Sequence, residues 1–223
     1  ILGRHAYPSI LEVPNNIDLA IVVVKAKLVP EIMKQIAKKE IKQVIIISSG
    51  FSEIGEKKLE NRIKKIAEKN KISLLGPNVL GIISPKHKLN ATFYNKIPKL
   101  GEIAFITQSG AVGVAMLDKA IKEDIGFSGF VSIGNQAGIN FNHALKYFSH
   151  DKKTKVIALY IESLKPETGK EFIKLCKKSK KKIIAIKAGK TEQGKKAASS
   201  HTAALATDER VYRGAFKQSG VIE

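Results

Sequence analysis

Seven short apolar runs, set apart by amphipathic stretches, constrain the fold of this chain more than any other feature. They are "IDLAIVVV" (17–24), "QVIIIS" (43–48), "ISLLG" (72–76), "EIAFITQ" (102–108), "GFVSIG" (129–134), "KVIALYIE" (155–162) and "KIIAIKAG" (182–189). All are β-branched and nearly continuous, as strands buried on both faces are. Between most of them lie stretches of helical period at 28–40, 55–70, 110–123, 140–149 and 167–180, and another, "DERVYRGAFKQSG", covers 208–220. Strands alternating with crossover helices form parallel sheets in an α/β fold. The rhythm breaks at "PKHKLNATFYNKIPKL" (85–100), which has two prolines and no period. A boundary is expected there, dividing the chain into domains 1–98 and 99–223. The first block has three strands only, so an initial βα unit with a glycine-rich turn is expected to be missing ahead of residue 1.

A chain of 223 residues can hold one large core or two smaller ones. Its formal charge of +19 raises a nucleic-acid hypothesis. The lysines argue against it, because they are spread over nearly every helical stretch, as in "KKLENRIKKIAEKNK" (57–71). The one dense run, "KKSKKK" (177–182), lacks interleaved aromatics for base stacking. Solvated helix faces and attraction for small phosphorylated ligands account for the same charge. No apolar run approaches the length of a membrane span. The lone Cys176 excludes an internal disulfide and a cysteine-based zinc site. The start, "ILGRHAYPSI", has no methionine and no signal-peptide pattern, so it reads as a cut in a cytoplasmic protein.

Open α/β sheets bind ligands beyond the carboxyl ends of their strands. Lys25, "SSGFSE" (48–53) and "PNVLG" (77–81) follow the first three strands, and such turns let backbone approach a ligand closely. In "FITQSGAVGVAMLD" (105–118) a strand passes through Gln108, Ser109 and Gly110 into a helix. Free amides at a helix start favour anions, although Ser109 serves equally as a plain N-cap. "SIGNQAG" (132–138) repeats the pattern more weakly, and Glu162 stands at a strand exit, either solvated or orienting an imidazole. "GKTEQGKK" (189–196) nearly matches a phosphate loop, but Lys196 stands where a magnesium-binding hydroxyl is required. His5, His87, His143 and His150 show no metal-ligand spacing, and none of them is expected to bind a metal. In "SSHTAAL" (199–205) His201 is flanked by residues too small to build a core around it.

Taken together, "SSGFSEIG", "LLGPNVLGII", "LNATF", "ITQSGAVG", "SIGNQAG", "ALYIES", "KAGKTEQGKKAASSHTAALA" and "VYRGAFKQSGVI" resemble the α subunit or α-like half of nucleoside-diphosphate-forming acyl-coenzyme A (CoA) synthetases. That family is typified by ADP-forming acetate–CoA ligase and is related to succinyl-CoA synthetase. The resemblance covers essentially the whole chain and is most specific around His201. It implies an α/β fold in which a partial Rossmann-like CoA-binding domain precedes a flavodoxin-like ligase domain, both with parallel sheets. It also implies that phosphate attacks acyl-CoA, that the acyl phosphate phosphorylates a histidine, and that the phosphohistidine phosphorylates ADP. His201 would be that histidine and Glu162 its orienting carboxylate. Gln108, Ser109, Gly110 and Ala111 would bind the phosphoryl group. Val24, Lys25, Ser48, Ser49, Gly50, Asn78 and Val79 would bind CoA. Mg-ADP or Mg-ATP would sit on an ATP-grasp β subunit or a fused β-like half, with no metal on this chain and no nucleic-acid or membrane partner. Ala203 in place of a glycine, and Lys25 in place of a proline, depart from the family pattern. The rivals are a noncatalytic CoA-binding or regulatory module and a phosphate-loop ATPase.

Overall fold

A computed structural model describes residues 2–14, 16–189 and 209–223. The first three apolar runs form β1 (Ala20–Val22), β2 (Gln43–Ile46) and β3 (Ser73–Leu75), a fully parallel sheet in that order. Its crossovers are α1 (Val29–Lys38) and α2 (Lys57–Lys69). These helices bury Met33, Ile36, Ile63 and Ala67 in one cluster with Val44, Ile46 and Leu74 of the sheet.

Two further strands, β4 (Gly81–Ser84) and β5 (Leu89–Thr92), lie just before and within the stretch that has no sequence period. They form an antiparallel pair, and β4 also runs antiparallel to β7 (Phe127–Ser132). With β6 (Leu100–Thr107), β8 (Val156–Ile161) and β9 (Lys182–Lys187) they complete a six-stranded sheet, ordered β5-β4-β7-β6-β8-β9. The four strands expected from the sequence are mutually parallel, while the hairpin makes the sheet mixed. The hairpin covers the outer edge of β7, whose backbone groups would otherwise lack partners. The two sheets thus part between Leu75 and Gly81, whereas the sequence break lies at 85–100.

Alternation along β6 divides the second core. Phe105 is buried with Phe127 and Phe130 and with Leu117 and Ala120 of α3 (Gly110–Lys122). Ala104 and Ile106 belong to the other face, with Leu145 and Phe148 of α4 (Phe141–His150), Phe172 and Cys176 of α5 (Gly169–Lys178), and Tyr212 and Phe216 of α6 (Glu209–Ser219). Gly113 brings α3 tight to the sheet, since a Cβ there would lie 2.9 Å from the Phe130 ring.

The sheets are joined by a backbone seam. The amides of Asn135, Ala137 and Ile139 donate to the carbonyls of Pro77, Gly76 and Leu74 at 3.0, 3.0 and 2.8 Å, so the loop after β7 lies along β3 and its continuation. Gly134 and Gly138 permit this approach, because a Cβ at either would meet the Asn78 or Leu74 carbonyl oxygen at 2.2 or 2.5 Å. Gly134 also has φ +50°, a conformation that side chains other than glycine rarely adopt.

Beside the seam, the Asn135 carboxamide nitrogen donates to Glu53 and Glu60, with Ser52 Oγ also within 3.2 Å, and its oxygen accepts from Asn78 at 3.2 Å. Glu60 is only 7% exposed, yet both of its oxygens are engaged, one by Ser52 and Asn135 and the other by Lys165 Nζ at 3.7 Å. Burial pushes the Glu53 carboxyl up. Hydrogen bonds from Asn135 and from the Gly50 and Phe51 amides outweigh it and hold that carboxyl below its ordinary value.

The seam and its polar cluster should each be visible in stability measurements. Gly134→Ala forces a backbone clash at a left-handed position and is expected to cost about 2 kcal/mol or more in urea unfolding. Asn135→Ala removes one donor from each of two carboxylates, Glu53 and Glu60, and a loss of about 1–3 kcal/mol is expected at pH 7. Because the folded-state value of Glu53 is depressed, its contribution is present above the unfolded value and is lost as pH falls through the folded one. The gap between the parent and Asn135→Ala should therefore close below about pH 4, and urea titrations at stepped pH will check it.

Candidate active site

The carboxyl ends of both sheets face one cleft of about 650 Å³, walled by Ser49, Asn78 and Val79 on one side and by 108–111 and Glu162 on the other. The volume lies within the range of small-molecule sites.

The 107–111 segment shows how local sequence builds an anion-binding end. Thr107 Oγ1 accepts the Ser109 amide at 3.1 Å and donates to the Ser109 carbonyl at 2.8 Å, which locks the strand exit. Ser109 is extended, with φ −94° and ψ 124°, and its Oγ accepts from the Val112 amide as the N-cap of α3. The Ser109 amide, expected among the phosphate donors, is thereby engaged internally. The next two amides, of Gly110 and Ala111, begin the helix and have no intrahelical acceptor. Both residues line the cleft, where the helix dipole favours an anion by roughly 0.3–1 kcal/mol.

Glu162 follows β8 and is held by its backbone. Gln108 Oε1 accepts from the Glu162 amide at 3.0 Å and the Ser163 amide at 2.9 Å. Lys187 Nζ donates to the Glu162 carbonyl at 2.8 Å while standing 4.8 Å over the Tyr212 ring, and Tyr212 OH accepts from the Leu164 amide at 3.0 Å. The Gln108 side chain, expected to bind phosphate, is instead committed to the Glu162 turn. Burial, then the Glu162 charge, raise the Tyr160 phenol above its ordinary value.

Of the residues expected to meet CoA, Ser49, Asn78 and Val79 line the cleft, and Val24, Lys25, Ser48 and Gly50 form the turns beside it rather than its lining. Ser48 Oγ accepts from the Val24 amide at 3.1 Å, and the Ser48 carbonyl accepts from the Asn78 amide at 3.0 Å, tying three strand exits together. Gly50 has φ +105° and donates to Glu53, and Lys25 is exposed at the start of a short 3-10 turn, Ala26–Leu28.

His201, Ala203 and Lys196 lie in 190–208, outside the described residues. The remaining histidines have local partners: His87 with Ser84, His143 with Asn140, His150 with the Lys146 carbonyl, and His5 packed on Tyr7. Among the described residues no group of three or more His, Cys, Asp or Glu side chains could hold a metal ion, and no helix is long and apolar enough to cross a membrane.

The sequence reading missed Asn135, Glu60 and Lys165 in the cleft wall, and Glu53 behind it. One signal was available: Glu60, Ile63 and Ala67 share the i, i+3, i+7 spacing of a buried helix face, and all three are buried.

Comparison with known proteins agrees with this architecture. Residues 100–223 match the family described as the succinyl-CoA ligase like flavodoxin domain, and residues 1–85 match a CoA binding domain. The chain is 48% identical, over its whole length, to an acetate–CoA ligase [ADP-forming] of Methanocaldococcus jannaschii, covering 31% of that protein. It is 46% identical to the acetate–CoA ligase [ADP-forming] II subunit alpha of Pyrococcus furiosus, covering 49% of it. The chain therefore spans half or less of the length of these curated relatives. A solved structure of the dinucleotide forming acetyl-coenzyme A synthetase 1 of Ca. Korarchaeum cryptofilum, in complex with phosphate and ADP, superimposes with a TM-score of 0.94 at 38% identity, over all of this chain and 48% of that one. With a CoA-binding domain ahead of a flavodoxin-like domain whose helix end and Glu162 share one cleft, the chain belongs to the family of the succinyl-CoA ligase like flavodoxin domain.

Proposed function

We propose that this chain acts as the α portion of an ADP-forming acyl-CoA synthetase, in which acyl-CoA, ADP and phosphate are interconverted with a carboxylic acid, ATP and CoA. A phosphate oxygen attacks the thioester carbonyl, the carbon–sulfur bond breaks, and CoA leaves as the thiolate with an acyl phosphate formed. A ring nitrogen of His201 then attacks phosphorus and the carboxylate leaves. Finally the phosphoryl group passes from His201 to ADP, and the imidazole is regenerated.

The observation that carries this reading is that Glu162 and the Gly110 and Ala111 amides line the same cleft. A neutral imidazole is required for attack on phosphorus, and a carboxylate on its other ring nitrogen fixes the tautomer and raises its basicity. The two amides would hold phosphoryl oxygens where charge develops. Small residues on both sides of His201, from Ala197 to Ala204, would let the ring enter such a cleft. CoA would lie against Ser49, Asn78 and Val79, with Val24, Lys25, Ser48 and Gly50 shaping the turns that receive it. Mg-ADP would bind in the remainder of the protein, an ATP-grasp β subunit or fused half, since the chain spans 31–49% of the two relatives above. The assembled enzyme would be cytoplasmic and work without nucleic acid or membrane.

The test is to incubate the complete enzyme with ATP labelled in its γ-phosphate and to look for an acid-labile adduct. The parent enzyme should take up label, and His201→Asn should take up none. Glu162→Gln should slow labelling by about 100-fold. Label retained in His201→Asn would refute the assignment. A noncatalytic CoA-binding module would bind CoA with no label in any variant.

A further inference from the structure

We infer that Gln108 is the positioning residue of this site: it fixes the Glu162 turn to the anion-binding end of α3 and does not itself bind phosphate. This rests on the reading of Glu162 given above.

A carboxamide has two acceptor lone pairs and two N–H donors. Both lone pairs of Gln108 Oε1 face backbone amides, those of Glu162 and Ser163, at 3.0 and 2.9 Å. The nitrogen donates to Ser163 Oγ at 3.2 Å. Three side-chain bonds therefore go to two successive residues of one turn. The two amides also decide which end of the carboxamide is oxygen, because the flipped form would set an NH₂ group against two N–H donors. With the residue 8% exposed, water does not substitute cheaply for these bonds.

The turn is held from its carbonyl side as well. Lys187 donates to the Glu162 carbonyl at 2.8 Å, and Gln136 Nε2 donates to the Ser163 carbonyl at 3.2 Å. Every backbone polar group of residues 162 and 163 thus has a partner, and the direction in which Glu162 leaves the chain is set. Gln108 also donates its own amide to the Tyr160 carbonyl at 3.1 Å and directly precedes Ser109, the N-cap of α3. One dipeptide, Gln108-Ser109, therefore carries both halves of the site, and the Glu162 backbone cannot shift relative to the Gly110 and Ala111 amides without breaking bonds that Gln108 makes.

Two substitutions in the complete enzyme separate positioning from binding. Gln108→Met keeps the length and removes the acceptor; Gln108→Glu keeps an acceptor for both amides and adds negative charge. Positioning predicts that Gln108→Met slows labelling from ATP roughly 10- to 100-fold, with the KM for phosphate changed less than about threefold, and that Gln108→Glu restores the rate to within about threefold of the parent. Hydrogen exchange of peptides spanning 158–166 should quicken in Gln108→Met and return toward the parent in Gln108→Glu, with or without substrates. A phosphate-binding Gln108 would instead show a KM for phosphate raised at least about tenfold in Gln108→Glu, with Gln108→Met keeping its exchange protection. That result, or Gln108→Glu failing as badly as Gln108→Met, overturns the inference. A parent enzyme that takes no label overturns the phosphohistidine reading and the positioning role in it together; a labelled parent with Gln108→Met behaving like it overturns the positioning role alone.

Discussion

The structure depends on a short backbone seam, the three hydrogen bonds by which 135–139 lies against β3 and its continuation. Each sheet alone would present its carboxyl edge to solvent; with the seam in place both edges face one cleft. Glycine at 134 and 138 is what the geometry demands, since side chains there would run into carbonyl oxygens. The polar cluster beside the seam has a different character. Burying the Glu53 and Glu60 carboxylates costs free energy that the ion pair of Glu60 with Lys165 does not offset for both. They are tolerated because Asn135, Ser52 and backbone amides supply donors to both. Such a cluster gives register more than stability: shifting the loop by one residue would take from both carboxylates the Asn135 donor they share.

That register carries through to the chemistry. Thr107, Gln108 and Ser109 are consecutive, and they divide the work of the site between them. Thr107 locks the strand exit, Gln108 holds the Glu162 turn and Ser109 caps α3. Each of these side chains bonds to protein groups, and the Gly110 and Ala111 amides, which have no intrahelical acceptor, are left for a ligand. Donors arranged before a charged group arrives need no reorganisation when it does, which is the physical basis of electrostatic preorganisation.

Much of this was legible in the sequence, because doubly buried strands and amphipathic helices leave strong periods. All seven apolar runs became strands, and each stretch of helical period became a helix. The convergence of Ser49, Asn78, Val79, 108–111 and Glu162 on one cleft was legible too, since strand order places carboxyl-end residues together. The β4–β5 hairpin was not. "GIIS" and "LNAT" are four residues each and only partly buried, and their pairing is decided by the edge of β7, far along the chain. Glu60 was less legible: in a helix crowded with lysines a carboxylate reads as part of a solvated face, and only its spacing with Ile63 and Ala67 marks it as turned inward.

The two glycine-bearing turns after β6 and β7 show where motif reading stops. "TQSGAVG" and "SIGNQAG" look alike as sequence, each leading from a strand through small polar residues toward a helix. Hydrogen-bond accounting separates them. After β6, the Gly110 and Ala111 amides open a helix, and both residues line the cleft. After β7, the Asn135, Ala137 and Ile139 amides all go to backbone carbonyls at β3 and its continuation. A motif that exposes amides specifies an anion site only where no sheet edge lies within reach to take them. The β7 turn meets such an edge and becomes the seam that aligns the two sheets; the β6 turn gives its Gln108 amide to β8 and keeps those of Gly110 and Ala111 for a ligand.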